Sequence, residues 1–321
     1  MSNQAINGLH HVTAICGDPQ RNFAFYTGVL GLRFVKKTVN FDDPGSYHLY
    51  YADGAATPGS VLTFFPFADT PQGRDGTGQV SATAYATTEA GLEYWQTRLK
   101  EHGVEFRGPM QRFDEVLIAF EDPDGLKLEI VVADQSAAFK PWPGSPVPAA
   151  MQLSGFHSVT LAEAGYERTQ ALLTTQMGWK LLRQSGDRYR YQAPGAGPAS
   201  IVDILCQPGA RHGLQGSGTV HHVAFRVDDD PAELAWRAKL TGFGHNVSPV
   251  MDRSYFHSIY YREPGGILFE IATNNPGFTV DEAPDALGSA LKLPPQFEPI
   301  RKEIEAHLPP LTSAATQPGT T

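Results

Sequence analysis

Histidine recurs at one kind of place in this chain, near the start of a short alternating run: Leu9-His10-His11-Val12, Phe156-His157-Ser158-Val159 and Val220-His221-His222-Val223. Carboxylates recur as well. Asp122-Pro-Asp-Gly-Leu-Lys-Leu-Glu129 and Glu263-Pro-Gly-Gly-Ile-Leu-Phe-Glu270 each set a Glu four residues after a Gly, on the strand that follows the turn. His222 and Glu270 are 48 residues apart, and Ala82 and Glu129 are 47 apart, so these pairs occupy equivalent positions on equivalent scaffolds. A lone strand histidine is more often a packed residue than a ligand. Glu270, however, is flanked in the strand alternation by apolar Leu268 and Ala272, which turns its face inward, where an unpaired carboxylate is costly. Two neutral imidazoles and one carboxylate on rigid strands leave about three open positions on an octahedral Fe(II), enough for a substrate and O2 together. Thr63 stands at the Glu position of the first repeat, and Asp203 reads as a polar strand residue.

The elements that must carry these side chains repeat four times. Leu9 to Ile15 reads as a strand, Asp18-Pro19 as a helix start, and Phe23, Tyr26 and Leu30 as a helical stripe closed by Gly31. Runs at Leu32 to Phe41, Tyr47 to Tyr51 and Val61 to Phe67 then read as strands. The same grammar returns at Val80, Phe156 and Val220, the last with a helix begun by Asp230-Pro231 and ended by Gly242, at a period of roughly 65 to 75 residues. The expected class is α+β, with four βαβββ modules forming two domains of curved mixed sheets. The pairs are expected at 1–139 and 153–275, joined by a Pro-rich linker over 140–152 whose prolines stiffen it. In the C-terminal extension, 276–321, Pro294 to Leu308 suits a short charged helix, and the composition from Pro309 to Thr321 predicts disorder.

Composition narrows the class of function. The 321 residues carry a formal net charge of -9 without clustered Lys and Arg, which excludes a general nucleic-acid or anionic-membrane surface. Cys16 and Cys206 are too few for a disulfide framework, so a reducing compartment is expected. With no apolar run of membrane length and no secretory start, the expected location is cytoplasmic.

The strand-His starts, the Pro-x-Gly-x3-Glu ends and the fourfold repeat over residues 7 to 275 resemble the vicinal oxygen chelate superfamily of glyoxalase I, fosfomycin resistance proteins and type I extradiol dioxygenases. Leu9-His-His-Val-Thr13, Val220-His-His-Val-Ala-Phe225 and Met251-Asp-Arg253-Ser-Tyr-Phe-His-Ser-Ile-Tyr260 through Glu270 are similar to the chlorohydroquinone and hydroquinone 1,2-dioxygenases. In such proteins two modules build one metal cup. Pairing modules three and four supplies His157, His222 and Glu270; pairing one and four supplies His11, His222 and Glu270. The hydroquinone resemblance favours His11, and the His-His dipeptides of modules one and four agree. His157 and Glu129 then belong to a metal-free counterpart. The resemblance implies Fe(II), with Mn(II) as a substitute ion, a small aromatic substrate and O2 as partners, and allows a homo-oligomer. It also implies that His10, Thr13, His221, Arg253 and Tyr260 surround the reacting groups. The rival expectations are a Zn- or Ni-dependent glyoxalase-like isomerase or thiol transferase, and a non-catalytic quinone- or aromatic-binding protein.

Overall fold

The computed structural model describes residues 5–134, 137–195 and 197–312. Each module is a strand, a short helix and three more strands. Module one comprises β1 (Leu9–Cys16), α1 (Pro19–Ala24), β2 (Arg33–Asn40), β3 (Asp43–Ala52) and β4 (Val61–Pro66). Module two has β5 (Gln79–Thr87), α2 (Glu89–Glu101), β6 (Phe106–Arg112), β7 (Glu115–Glu121) and β8 (Lys127–Val132). Module three has β9 (Phe156–Glu163), α3 (Glu167–Ala171), β10 (Lys180–Ser185), β11 (Arg188–Gln192) and β12 (Ile201–Cys206). Module four has β13 (Thr219–Val227), α4 (Asp230–Gly242), β14 (Met251–Asp252), β15 (Phe256–Arg262) and β16 (Leu268–Pro276). The α+β expectation holds.

The strands form two eight-stranded sheets, β14-β15-β16-β13-β1-β4-β3-β2 and β10-β11-β12-β9-β5-β8-β7-β6. Modules one and four therefore share one curled sheet and modules two and three the other, so sheet membership cuts across the connection at 140–152. That connection packs along module one: Lys140 N donates to Asp53 Oδ2 at 2.8 Å, and Ser145 Oγ donates to Gly31 O at 2.6 Å.

Local chemistry starts the helices where it should. Asp18 accepts from Arg21 N at 2.7 Å with Pro19 in the first turn, and Asp229, one residue earlier than expected, accepts from Ala232 N at 2.9 Å. The first and third helices widen into a π-turn, at Phe25–Val29 and Leu172–Gln176, where in module one a single α-helix was expected up to Gly31. Apolar helix faces such as Trp95 of α2 and Trp236 of α4 are buried in a core that runs between the sheets.

Beyond β16 the chain folds back over module one. Fully buried Lys36 of β2 donates to Asp281 and Glu282, each at 2.5 Å. Removing one member of such a buried pair costs about 3–5 kcal/mol, so this clasp holds the extension down. The expected charged helix is α5 (Arg301–His307). Tyr47 OH donates to Pro309 O at 2.8 Å and Thr312 N to Gln20 Oε1 at 2.8 Å, so residues 309–312 are bound to the body where composition predicts disorder. Residues 313–321 of that expectation lie outside the described residues. No described helix is long and apolar enough to cross a membrane.

One joint between the sheets makes a pH prediction. Gly265 lies flat on the buried carboxyl of Glu163, where an added Cβ would come within 1.8 Å of Oε2. Burial, and then the neighbouring Glu263 carboxylate, push the Glu163 carboxyl far above the ordinary 4.5. Folding therefore favours its protonated form, and the associated stability is complete below pH 4.5 and is lost as pH rises toward the raised folded value. Between about pH 5 and about pH 8 the melting temperature of the parent should fall more steeply than that of Glu163→Gln. Parallel slopes in a thermal melt series would rule out the buried proton.

Candidate metal centre

β1 and β13 lie antiparallel at the centre of the first sheet, with Leu9 opposite Phe225, His11 opposite Ala224 and Thr13 opposite His222. The register slips by one residue at His10 and again at His221, a β-bulge in each strand. The bulges bring consecutive histidines together rather than to opposite faces: His10 and His11 meet Nδ1 to Nδ1 at 2.9 Å, and His221 and His222 at 2.7 Å. Burial, and then the adjacent histidine, lower His10 and His221 to about 3, so both are neutral and can accept a proton-bearing Nδ1. With the shared proton carried on Nδ1 of His11 and of His222, the Nε2 atoms of these two rings offer lone pairs.

Those two lone pairs converge with a carboxylate. Parallel pairing of β13 with β16 puts Glu270 beside Ala224. His11 Nε2 lies 3.3 Å from His222 Nε2, and Glu270 Oε2 lies 3.4 Å from the first and 2.9 Å from the second. Glu270 is 0% exposed; Ser258 Oγ donates to its Oε1, but among the described residues no hydrogen-bond donor is directed at Oε2 despite the short approach. Burial would raise the Glu270 carboxyl, yet His11 and His222 outweigh it and hold it well below the usual range, while burial drives His222 itself toward neutrality. A neutral His222 cannot supply the charge that an ionised buried carboxylate requires. A cation at the point of convergence resolves this conflict, and the two-nitrogen, one-oxygen donor set fits a divalent metal of the facial-triad type.

Over these atoms lies a cavity of about 340 Å³. Phe65, Phe67, Phe256 and Leu268 supply apolar wall, and Tyr260, Arg253, His48 and Tyr50 supply polar groups. Tyr260 is the cross-strand partner of Glu270 in the β15–β16 hairpin. Burial, then the Glu270 charge, push its phenol far up, so it remains protonated. Arg253 Nε donates to Tyr260 OH at 3.1 Å and its Nη2 to Asp42 Oδ2 at 3.2 Å. Thr13 lies beneath, 2.8 Å from Thr63, which occupies the rung of module one that Glu270 occupies in module four. Motif reading overlooked His48 and Tyr50. They form a chain with Thr63, His48 Nε2 to Thr63 Oγ1 and Tyr50 OH to His48 Nδ1, both 2.8 Å. The available signal was spacing: His48 and Tyr50 flank Thr63 across β3–β4 as Ser258 and Tyr260 flank Glu270 across β15–β16.

The sequence profile of the Glyoxalase/Bleomycin resistance protein/Dioxygenase superfamily matches residues 8–130 and 155–271. This chain belongs to that superfamily. Among its relatives, MhqO of Bacillus subtilis, provisionally named a ring-cleaving dioxygenase, is 44% identical over 94% of this chain and 96% of its own length. The chlorohydroquinone/hydroquinone 1,2-dioxygenase of Sphingobium indicum is 35% identical over 94% of this chain and 95% of its own. A Bacillus subtilis crystal structure, provisionally assigned as a dioxygenase, superposes with a TM-score of 0.92 at 42% identity, covering 97% of this chain and 99% of that one. Maize glyoxalase I shares the fold at 17% identity and a TM-score of 0.62, over 83% of this chain and 92% of its own.

The second sheet repeats the superfamily scaffold with other side chains. β5 and β9 bulge at Ser81 and His157, the counterparts of His221 and His10. The ligand positions hold Ala82 and Ser158, and His157 falls in register with His10 rather than with His11. The alternative triad through His157 is therefore not assembled: modules three and four do not share a sheet, and His157 Nε2 instead meets Glu115 Oε1 at 2.9 Å. Glu129, on the rung of Glu270, is gripped by Arg112 at 2.5 and 2.6 Å, and Asp203, on the rung of Thr63, by Arg188 and Arg190. Ala119 stands opposite Glu129 where Tyr260 stands opposite Glu270, and Arg112 rather than a histidine pair meets the Glu129 carboxylate.

Proposed function

We propose that this chain is an Fe(II)-dependent dioxygenase of the extradiol type that opens a hydroquinone-type ring with O2, His11, His222 and Glu270 being the metal ligands. The observation that carries this reading is the donorless buried oxygen of Glu270 facing two free imidazole nitrogens at the floor of an aromatic cavity. Support also comes from the extent of its likeness to the Sphingobium enzyme. Fe(II), which Mn(II) could replace on the same donors, supplies Lewis acidity toward a phenol and the one-electron chemistry that O2 requires.

The remaining work falls to this chain. His10 and His221 hold the ligand imidazoles in the tautomer with Nε2 unprotonated, as outer partners of metal-bound histidines do. Because Tyr260 accepts from Arg253, its own O–H is free to donate to a substrate oxygen, and the Arg253 charge stabilises negative charge that develops there. Phe65, Phe67 and Phe256 confine the ring and exclude water. Thr63 stands where a glyoxalase-like isomerase would want a second carboxylate, which argues for redox chemistry.

Anaerobic loading with Fe(II), followed by O2 uptake on a panel of hydroquinones and catechols, tests the reading. Uptake should match substrate consumption, vanish when the iron is oxidised and return with reductant. Oxygen-independent conversion of a glutathione adduct with Zn or Ni would make the protein an isomerase; aromatic binding without metal or turnover would make it a binding protein.

A further inference from the structure

The second sheet has lost the ligand histidines, yet the space above them persists. A cavity of about 360 Å³ lies over Ser81, Ala82, Thr160 and Glu129, the register counterparts of His221, His222, Thr13 and Glu270. It matches the metal cavity of about 340 Å³ and is large enough for a small molecule. The lining of the two cavities differs in character. Lys127 replaces Leu268, Arg188 replaces His48, Gln207 replaces Phe67, and Arg107 joins them.

The charges point to one class of ligand. Glu129 cannot take up a metal, since both of its oxygens are held by Arg112. Arg188 uses only Nη1, toward Asp203 and Thr160, each at 3.0 Å, and its Nε and Nη2 donate no hydrogen bond among the described residues. Arg107 has no ion-pair or hydrogen-bond partner among them either, and Lys127 is paired only with exposed Asp75. Burial, and then the neighbouring Arg112, weigh against the Arg188 charge, a strain that an anion in the cavity relieves. The lining carboxylates Asp75 and Glu129 are paired with Lys127 and Arg112, so the unused guanidinium donors of Arg188 and Arg107 are what the cavity offers a ligand. Guanidinium forks match planar carboxylates, and the volume suits a molecule well beyond inorganic phosphate.

We propose that the cavity of modules two and three is a second, metal-free binding site for a small organic carboxylate, recognised by Arg188 and Arg107 with Lys127 at its rim. It does not depend on the reaction assigned to the first cavity.

Isothermal titration of the iron-loaded full chain with cis,cis-muconate, at physiological ionic strength, tests this. Saturable binding is expected. Arg107→Glu, at an exposed position that should not disturb folding, should weaken it by about tenfold or more. His222→Ala, titrated in the iron-free form that this substitution leaves, should bind muconate as the parent does, because the substitution alters only the first cavity. Absence of saturable binding would overturn the proposal. So would binding that survives Arg107→Glu but is lost in His222→Ala, which would place the dicarboxylate on the metal. Inorganic phosphate displacing muconate at equal concentration would reduce the site to non-selective anion attraction and would equally overturn carboxylate recognition.

Discussion

His11→Ala, His222→Ala and Glu270→Gln should each hold no iron after anaerobic loading, whereas His157→Ala should load like the parent. Loss of a mere outer partner of a metal ligand costs about 10–100-fold in affinity, so loss of a ligand itself should exceed 100-fold. The expectation for His157 follows from its place in the other sheet, bound to Glu115. Metal content by atomic absorption, with circular dichroism to verify folding, decides the outcome. Glu270→Gln carries a second signature. The carboxylate is fully buried among the ligand atoms, so metal should raise the melting temperature of the parent but not that of the variant. Iron retained in His11→Ala, or lost in His157→Ala, would refute this ligand set.

The second large effect concerns groups that are expected to touch substrate and not metal. A catechol chelates through adjacent oxygens, but a hydroquinone offers the metal only one, and its ring must be oriented by the cavity wall. Tyr260 and Arg253 are joined to each other at 3.1 Å and line that wall. Tyr260→Phe and Arg253→Ala should therefore bind iron normally yet lose hydroquinone cleavage by about 10²-fold or more, the range for a positioned acid or electrostatic donor. Arg253→Ala also frees the phenol from its guanidinium partner, so the two losses should be less than additive in the double variant. Iron content measured beside steady-state O2 consumption separates this outcome from a folding defect. If catechol is the better substrate and both variants stay fully active, the hydroquinone assignment fails while the metal site stands.

How much of this could be read without a structure depended on the range of the interaction involved. Short-range chemistry was legible. Asp18-Pro19 starts a helix because the carboxylate caps a nearby amide, and the Glu263-Pro-Gly-Gly turn delivers Glu270 to an inward face because strand alternation requires it. The resemblance carried the family and directed attention to Arg253 and Tyr260. What alternation could not reveal was the bulge. A regular strand would send His10 and His11 to opposite faces, and only pairing with β13 introduces the extra residue that brings their Nδ1 atoms together. The same slip decides that His157 corresponds to His10, a distinction that motif alignment blurred. Pairing of modules one and four, rather than three and four, is likewise a tertiary decision: His11 and Glu270 are far apart in sequence, and their convergence depends on which central strands share hydrogen bonds. His48 and Tyr50 went unnoticed because their significance lies across the sheet, on Thr63. The partners of Glu129 and Asp203 were decided there too: three arginines reach these carboxylates because of register and burial.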